Sequence, residues 1–267
     1  MKTFLVVAGV VVVIAIAYVI TTNTNEPTPI QNNEEETGIA FQNVEYFAST
    51  TGYLAYPKVK GTYPGLILIH EWWGLNDDIK SIADRFAKEG YVALAVDMYN
   101  GTSTTDSVKA RELSIAVRED IPGAFENLEA AVVYLKSQDN VNDAALASVG
   151  WCFGGGWSYQ MAINELGTNA SVMYYGQFDP EDDFEMMKSH ILGHFGEEDM
   201  GIAVDTVKEF QAALETTNGM HEIYIYPNVG HGFANARGGT NMAYSEEEAE
   251  LAWERTKDFL EKIFSSN

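Results

Sequence analysis

Three residues of this chain combine side-chain types that do covalent chemistry together: the thiol of Cys152, the carboxylate of Asp199 and the imidazole of His231. An imidazole takes the proton of a thiol, a carboxylate orients the imidazole, and the thiolate attacks a carbonyl carbon. Cys152 is the single cysteine, and Gly150-Trp151-Cys152-Phe153-Gly154 reads G-x-C-x-G, the thiol version of a nucleophile elbow. A strand turning sharply into a helix strains the intervening residue, so the positions at Gly150 and Gly154 must lack side chains. The sulfur then lies at a helix N-terminus, whose unpaired N–H groups and dipole favour thiolate. Asp199 closes Gly196-Glu197-Glu198-Asp199, and His231 lies in Gly230-His231-Gly232-Phe233. Taken singly, each has a plainer reading: a buried structural cysteine, a solvated acid in an acidic loop, a turn histidine.

The elements that must position them follow from hydrophobic periodicity. Segments 44–49 and 52–56 read as a β-pair meeting near Thr50-Thr51-Gly52. The run 65–70 is continuously apolar up to His70, as a strand buried on both faces should be. Segment 77–90 has apolar residues at helical spacing and a closing Gly90, and 91–96 is the next strand. The stretch 106–138 is helical with a break near Ile121-Pro122-Gly123. The elbow joins a strand at 144–149 to a helix at 157–166, followed by strands at 171–175, 191–196 and 221–226 and helices at 206–217 and 246–264. This alternation predicts a doubly wound, mainly parallel α/β sheet with functional loops at the C-terminal ends of its strands. Cys152, Asp199 and His231 each follow their own strand in the order nucleophile, acid, base, which is the order of the α/β-hydrolase fold. His190 and His194 have a metal-like spacing, but an expected strand break between them argues against a metal site.

Composition narrows the class. Of 267 residues 46% are hydrophobic, enough for a large core, and the formal charge of -23 disfavours nucleic acid and anionic membrane surfaces as partners. One cysteine excludes an intramolecular disulfide. Residues 4–20 are unbroken apolar or small, with Lys2 before them and no further Lys or Arg until Lys58. We read 1–20 as a signal peptide cleaved near Ala17 or an uncleaved membrane anchor, either of which sends the remainder out of the cytoplasm. Segment 21–38 is a polar, flexible linker and 39–267 the catalytic domain.

Besides the elbow, His70-Glu71-Trp72-Trp73-Gly74, Asp97-Met98-Tyr99, 196–199 and 230–233 stand in register with a known pattern. Over about 44–264 the chain resembles the dienelactone hydrolase family of α/β-hydrolases. The resemblance implies a Cys152–His231–Asp199 triad with Glu71 as an extra carboxylate, able to engage the thiol in the resting enzyme and to move away when substrate enters. The backbone N–H groups of Phe153 and Trp72 are the candidate oxyanion donors. Trp72, Trp73, Tyr99, Trp151 and Phe233 would line an apolar pocket around the sulfur. Where the founding pattern has two arginines that clamp a substrate carboxylate, this chain has Asn100 and Asn235. Neutral esters or lactones are therefore expected to be preferred, unless Arg237 swings in. The implied activity is cysteine-dependent hydrolysis of small carboxylic esters or lactones, with no metal or other cofactor. An acyl thioesterase or peptidase on the same scaffold, and a non-catalytic thiol-sensing or binding protein, are the alternatives.

Overall fold

A computed structural model describes residues 38–236 and 244–265. The apolar segment 4–20, nearly all of the linker and Arg237 lie outside the described residues, so the expected anchor and export do too. No helix among the described residues is long and apolar enough to cross a membrane. In chain order the elements are β1 (Ile39–Phe47), β2 (Thr50–Pro57), β3 (Tyr63–Ile69), α1 (Asp77–Lys88), β4 (Val92–Val96), α2 (Ser107–Glu119) and α3 (Ile121–Lys136). Then come β5 (Val141–Trp151), α4 (Phe153–Ile163), β6 (Ala170–Tyr174), β7 (His190–Gly196), α5 (Val204–Leu214), β8 (His221–Tyr226) and α6 (Glu246–Ser265).

The eight strands form one sheet in the order β1-β2-β4-β3-β5-β6-β7-β8. β1 and β2 pair antiparallel, β2 meets β4 antiparallel, and every pairing from β4 to β8 is parallel. Alternation along β3 explains its unbroken apolar run. Leu66 and Leu68 pack with Ile79, Ala83 and Phe86 of α1, while Ile67 and Ile69 pack on the other face with Leu128, Ala131 and Leu135 of α3. A strand covered by helices on both faces has no side free for polar residues. From β3 the chain crosses to β4 on one side and later returns to β5 on the other. The loops after β3 and β5 thus leave adjacent strands at the point where the winding direction reverses, where doubly wound sheets place their binding crevice.

Local chemistry sets the helix limits. Asn76 caps α1 by accepting from the N–H groups of Asp78 and Ile79, and Gly90, at φ +91°, provides the left-handed step after its last turn. The break in 106–138 falls at Asp120, which caps α3 through Gly123 N–H, and Pro122 sits in the first turn, where a missing N–H costs nothing. Two expectations change. α4 starts at Phe153, four residues ahead of the expected Trp157, and takes in Gly154, Gly155 and Gly156. Glycine is a poor helix former, but Gly154 lies against the carbonyls of Ile69 and His70 and Gly155 against that of Tyr174, so close packing on the sheet overrides propensity. His190 and His194 both belong to β7, with no strand break between them.

Candidate active site

β5 ends at Trp151 and α4 begins at Phe153, leaving Cys152 alone in the turn at φ 52° and ψ -111°. A non-glycine residue adopts that conformation only where its surroundings enforce it. Here the Cys152 N–H donates to Tyr174 O at 2.9 Å, which ties the turn to β6, and a Cβ at Gly150 would collide with the Gly154 carbonyl. The sulfur is half-exposed at the head of α4.

His231, in the loop after β8, brings Nε2 to 3.1 Å from Cys152 Sγ and Nδ1 to 2.8 Å from Asp199 Oδ2. Asp199, in the loop after β7, is held in turn: its Oδ1 accepts from Gly201 N–H at 2.8 Å and Ile202 N–H at 3.2 Å. Its side chain is fully buried, whereas that of His231 is 33% exposed. Burial opposes a charge on His231, but the hydrogen bonds to Asp199 and Cys152 and the attraction of both groups outweigh it and raise the imidazole from 6.5 to about 10. A cation at that position donates to both neighbours at once. Because its folded value lies above 6.5, this interaction stabilises the fold fully below that pH and fades as pH rises through about 10. Cys152→Ala removes one of the raising partners, so His231 should titrate lower in that variant than in the wild type. Histidine NMR titration checks this, and an unchanged value would show that Asp199 alone sets it.

Glu71 follows β3. Its Oε1 accepts from Tyr175 Oη at 3.1 Å and its Oε2 from Asn235 Nδ2 at 2.5 Å, while the Cys152 thiol is turned to His231. Burial raises the Glu71 carboxyl above the ordinary range, the hydrogen bonds from Asn235 and Tyr175 and the charge of His231 oppose the rise, and Asp78 adds to it. The residue as a whole is half-exposed, so it is the setting of the carboxyl group that decides this direction. Tyr175 also packs edge-on against the His231 ring at 5.1 Å, linking the carboxylate to the base. The loop that carries Glu71 and Trp72 is anchored by His70. Its Nε2 accepts from Met98 N–H at 3.1 Å, which leaves the proton on Nδ1 to donate to the Glu71 carbonyl at 2.5 Å. Neither Trp72 N–H nor Phe153 N–H, the first of α4, has a backbone acceptor among the described residues.

Two cavities flank this cluster. One of about 280 Å³ is lined by Glu71, Trp73, Trp151, Tyr175 and Asn235, with Asp78 at its wall. The other, of about 240 Å³, contains Cys152 itself with Phe153, Trp157, Ile121, Gln160 and Arg118. Trp73, Trp151 and Asn235 line the first of these cavities, which Cys152 does not line, and Asn235 also holds Glu71. Four expected lining residues are elsewhere. Trp72 lines neither cavity: it packs against Trp73 and the core, with its indole N–H buried and without a hydrogen-bond partner. Phe233 is fully buried between Tyr175 and Tyr226, because the chain turns inward after His231. Asn100 sits exposed at φ 50° in a turn organised by Asp97, on a surface groove shared with Phe47 and Leu113. Tyr99 packs against His70 and Phe153 and lines neither cavity, and its buried hydroxyl has no hydrogen-bond partner. His190 and His194 are engaged separately, the first accepting from Met220 N–H and the second bonded to Tyr226 and Thr256. Among the described residues no three acidic, histidine or cysteine side chains form a metal-holding group. Arg118, the charged group in the Cys152 cavity, went unread in the sequence, since a basic residue near a helix C-terminus ordinarily signals only the helix dipole.

The strand order, the elbow and the crevice at the winding reversal define an α/β-hydrolase-like fold. The chain belongs to the dienelactone hydrolase family, whose family model matches residues 50–264. A Saccharolobus solfataricus protein named "Putative carboxymethylenebutenolidase" is 31% identical over 252 residues, covering 81% of this chain and 95% of its own. A Bradyrhizobium protein named "Probable 2-oxo-3-(5-oxofuran-2-ylidene)propanoate lactonase" is 30% identical, covering 79% of this chain and 89% of its own. Among solved structures, a dienelactone hydrolase-like promiscuous phosphotriesterase from metagenomic libraries superposes with a TM-score of 0.77 at 23% identity, covering 85% of this chain and 99% of that one.

Proposed function

We propose that the protein hydrolyses small carboxylic esters or lactones through a thioester formed on Cys152. The observation that carries this reading is the unbroken line of hydrogen bonds from Asp199 through His231 to the sulfur of Cys152. In the first half-reaction the thiol proton resides on His231 Nε2 and the sulfur attacks the substrate carbonyl carbon. The oxyanion is received by the N–H groups of Phe153 and Trp72, each of the kind whose loss costs about 2.7 to 4 kcal/mol of barrier lowering. As the tetrahedral intermediate collapses, the C–O bond breaks and His231 returns the proton to the leaving alkoxide. In the second half-reaction a water gives its proton to His231 and attacks the thioester, and the thiol is restored with release of the acid. Asp199 keeps Nδ1 of His231 engaged, so Nε2 always faces the sulfur. Glu71, beside the base and held by Tyr175 and Asn235, is a carboxylate poised to balance the imidazolium. The names of the two relatives, a carboxymethylenebutenolidase and a lactonase, support carboxylic esters and lactones as the substrate class.

The test is a set of p-nitrophenyl esters and simple lactones, with rapid acid quench and mass measurement of the protein. The expected result is turnover with a mass increase equal to the acyl group, located on the peptide that holds Cys152. Turnover that leaves no adduct there and survives alkylation of the thiol would overturn the proposal.

A further inference from the structure

His194 is fully buried in β7 and takes no part in proton transfer at Cys152, yet both nitrogens of its ring are engaged. Nδ1 lies 2.8 Å from Tyr226 Oη of β8, and Nε2 lies 3.0 Å from Thr256 Oγ1 of α6. Thr256 Oγ1 is in turn 2.7 Å from Tyr174 Oη of β6, and Tyr174 donates to Ala252 O at 3.1 Å. The two ends of this row fix its direction. A carbonyl oxygen only accepts, so the Tyr174 proton is committed to Ala252, and the bond between Thr256 and Tyr174 is donated by Thr256. Thr256 then accepts from His194 Nε2–H, and Nδ1, left without a proton, accepts from Tyr226. At the far end the Arg255 guanidinium, which only donates, hydrogen-bonds to Tyr226 Oη and lies 5.1 Å from the ring centroid. His194 is thus a neutral imidazole with its proton on Nε2. Burial, with the charge of Arg255, holds its pKa down at about 3, so the row keeps this direction at neutral pH.

The same residue holds both walls of the seat in which the chain is pinned just after the base. Phe233, two residues past His231, lies between the rings of Tyr175 and Tyr226, with centroids 5.5 Å and 4.9 Å away. Tyr175 N–H donates to His194 O at 2.7 Å, and Tyr226 Oη donates to His194 Nδ1. Backbone and side chain of one residue therefore fix the two rings that hold Phe233, and Gly232, at φ +78°, makes the turn between it and His231. Tyr175 also meets the His231 ring edge-on at 5.1 Å. A buried row in which every donor has its acceptor admits one arrangement, because any shift strands a polar group without water to replace its partner.

We propose that His194 is a positioning residue for the base: through Tyr226 on one side and Tyr175 on the other it fixes Phe233, and through Phe233 it seats the His231 ring between Asp199 and Cys152. The assignment rests on the reading of His231 as the partner of Cys152. His231 has to span 2.8 Å to Asp199 and 3.1 Å to the sulfur at once, so a small shift of its loop breaks one of the two bonds. A displacement of about 1 Å in a reacting group can cost on the order of 10²-fold in rate.

Tyr226→Phe tests this, since it removes one hydroxyl and keeps the ring on which Phe233 packs. The charged and titratable groups around the His231 imidazole are Asp199, Cys152 and Glu71, and the first two raise it to about 10. Its NMR titration on the full chain, assigned by the signal lost in His231→Gln, therefore reports its seating whether or not any ester is turned over. In Tyr226→Phe the His231 value is expected to fall towards 6.5, and kcat for a neutral p-nitrophenyl ester to fall roughly tenfold or more with KM within about twofold of wild type. Ser171→Ala is the control. It removes a buried hydroxyl bonded to Ser148 near the start of β6, at the other end of that strand from Tyr174, so it should lower the urea midpoint and leave both readouts as in wild type. A folded Tyr226→Phe with wild-type titration and kcat overturns the proposal, as do equal changes in Ser171→Ala. His194→Asn, whose amide oxygen can replace Nδ1 as the acceptor for Tyr226, should keep His231 closer to wild type than His194→Leu, which offers that hydroxyl nothing. Equal shifts in those two variants also overturn it. If no ester is hydrolysed yet the titrations respond as expected, the hydrolase reading fails and the positioning role stands.

Discussion

Cys152→Ala is expected to lower kcat/KM for ester hydrolysis by on the order of 10⁴-fold or more, with the fold intact. The size follows from the chemistry: without sulfur no thioester forms, and only oxyanion stabilisation and substrate positioning remain. The fold should persist because alanine keeps the Cβ and differs only beyond it, so the turn at φ 52° is no more strained than before. Its N–H still donates to Tyr174 O. Turnover and circular dichroism measured on one sample separate the two effects, and a folded variant retaining most of its activity would remove Cys152 from the mechanism. Cys152→Ser should also be poor, since a hydroxyl gives up its proton to an imidazole far less readily than a thiol does.

The second large effect is on stability. Gly154→Ala is expected to destabilise the domain by at least the upper part of the roughly 1 to 3 kcal/mol typical of overpacking. The added Cβ would run into the backbone carbonyls of Ile69 and His70, at the end of the central strand β3, and backbone inside a sheet cannot move aside as a side-chain tip does. Relief would require α4 to lift from β3, taking Cys152 out of reach of His231. Gly156→Ala is the control, because its nearest neighbour is Gln177 O at 3.4 Å, an ordinary contact. Alanine there should be tolerated, helped by about 1 kcal/mol of better helix propensity. Urea midpoints of the two variants make the comparison, and a Gly154→Ala protein as stable as wild type would show that the elbow does not pack as described.

The elbow was legible in the sequence because it is a local steric object. A strand-like run, two glycines bracketing one nucleophile and a following helix are all within about twenty residues, and the strained turn at Cys152 is their consequence. Asp199 and His231 were legible for a related reason: strand ends carry a recognisable change from apolar periodicity to glycine and polar residues, and in a parallel sheet all such ends face the same side. The alternation of elements likewise determined the doubly wound class. Local propensity then misplaced the start of α4, since what holds Gly154 and Gly155 in a helix is the carbonyl surface of β3 and β6 beneath them.

What only the tertiary structure decided is which side chains meet between elements distant along the chain. Glu71 finds Tyr175, 104 residues away, and Asn235, 164 residues away, because the order β3-β5-β6-β7-β8 brings their loops to one edge of the crevice. The same order buries Phe233 against Tyr175 and Tyr226, and the turn set by Asp97 points Asn100 to a different groove. Arg118 reaches the cavity of Cys152 because α2 packs on α3, and its Leu113 and Val117 join the core cluster that also holds Phe153 and Trp157 of α4. Periodicity tells which face of an element is buried, and local sterics tell where the backbone must bend. The direction a loop side chain takes, and the charge it meets there, depend on strand order and helix placement, which no local window of the sequence contains.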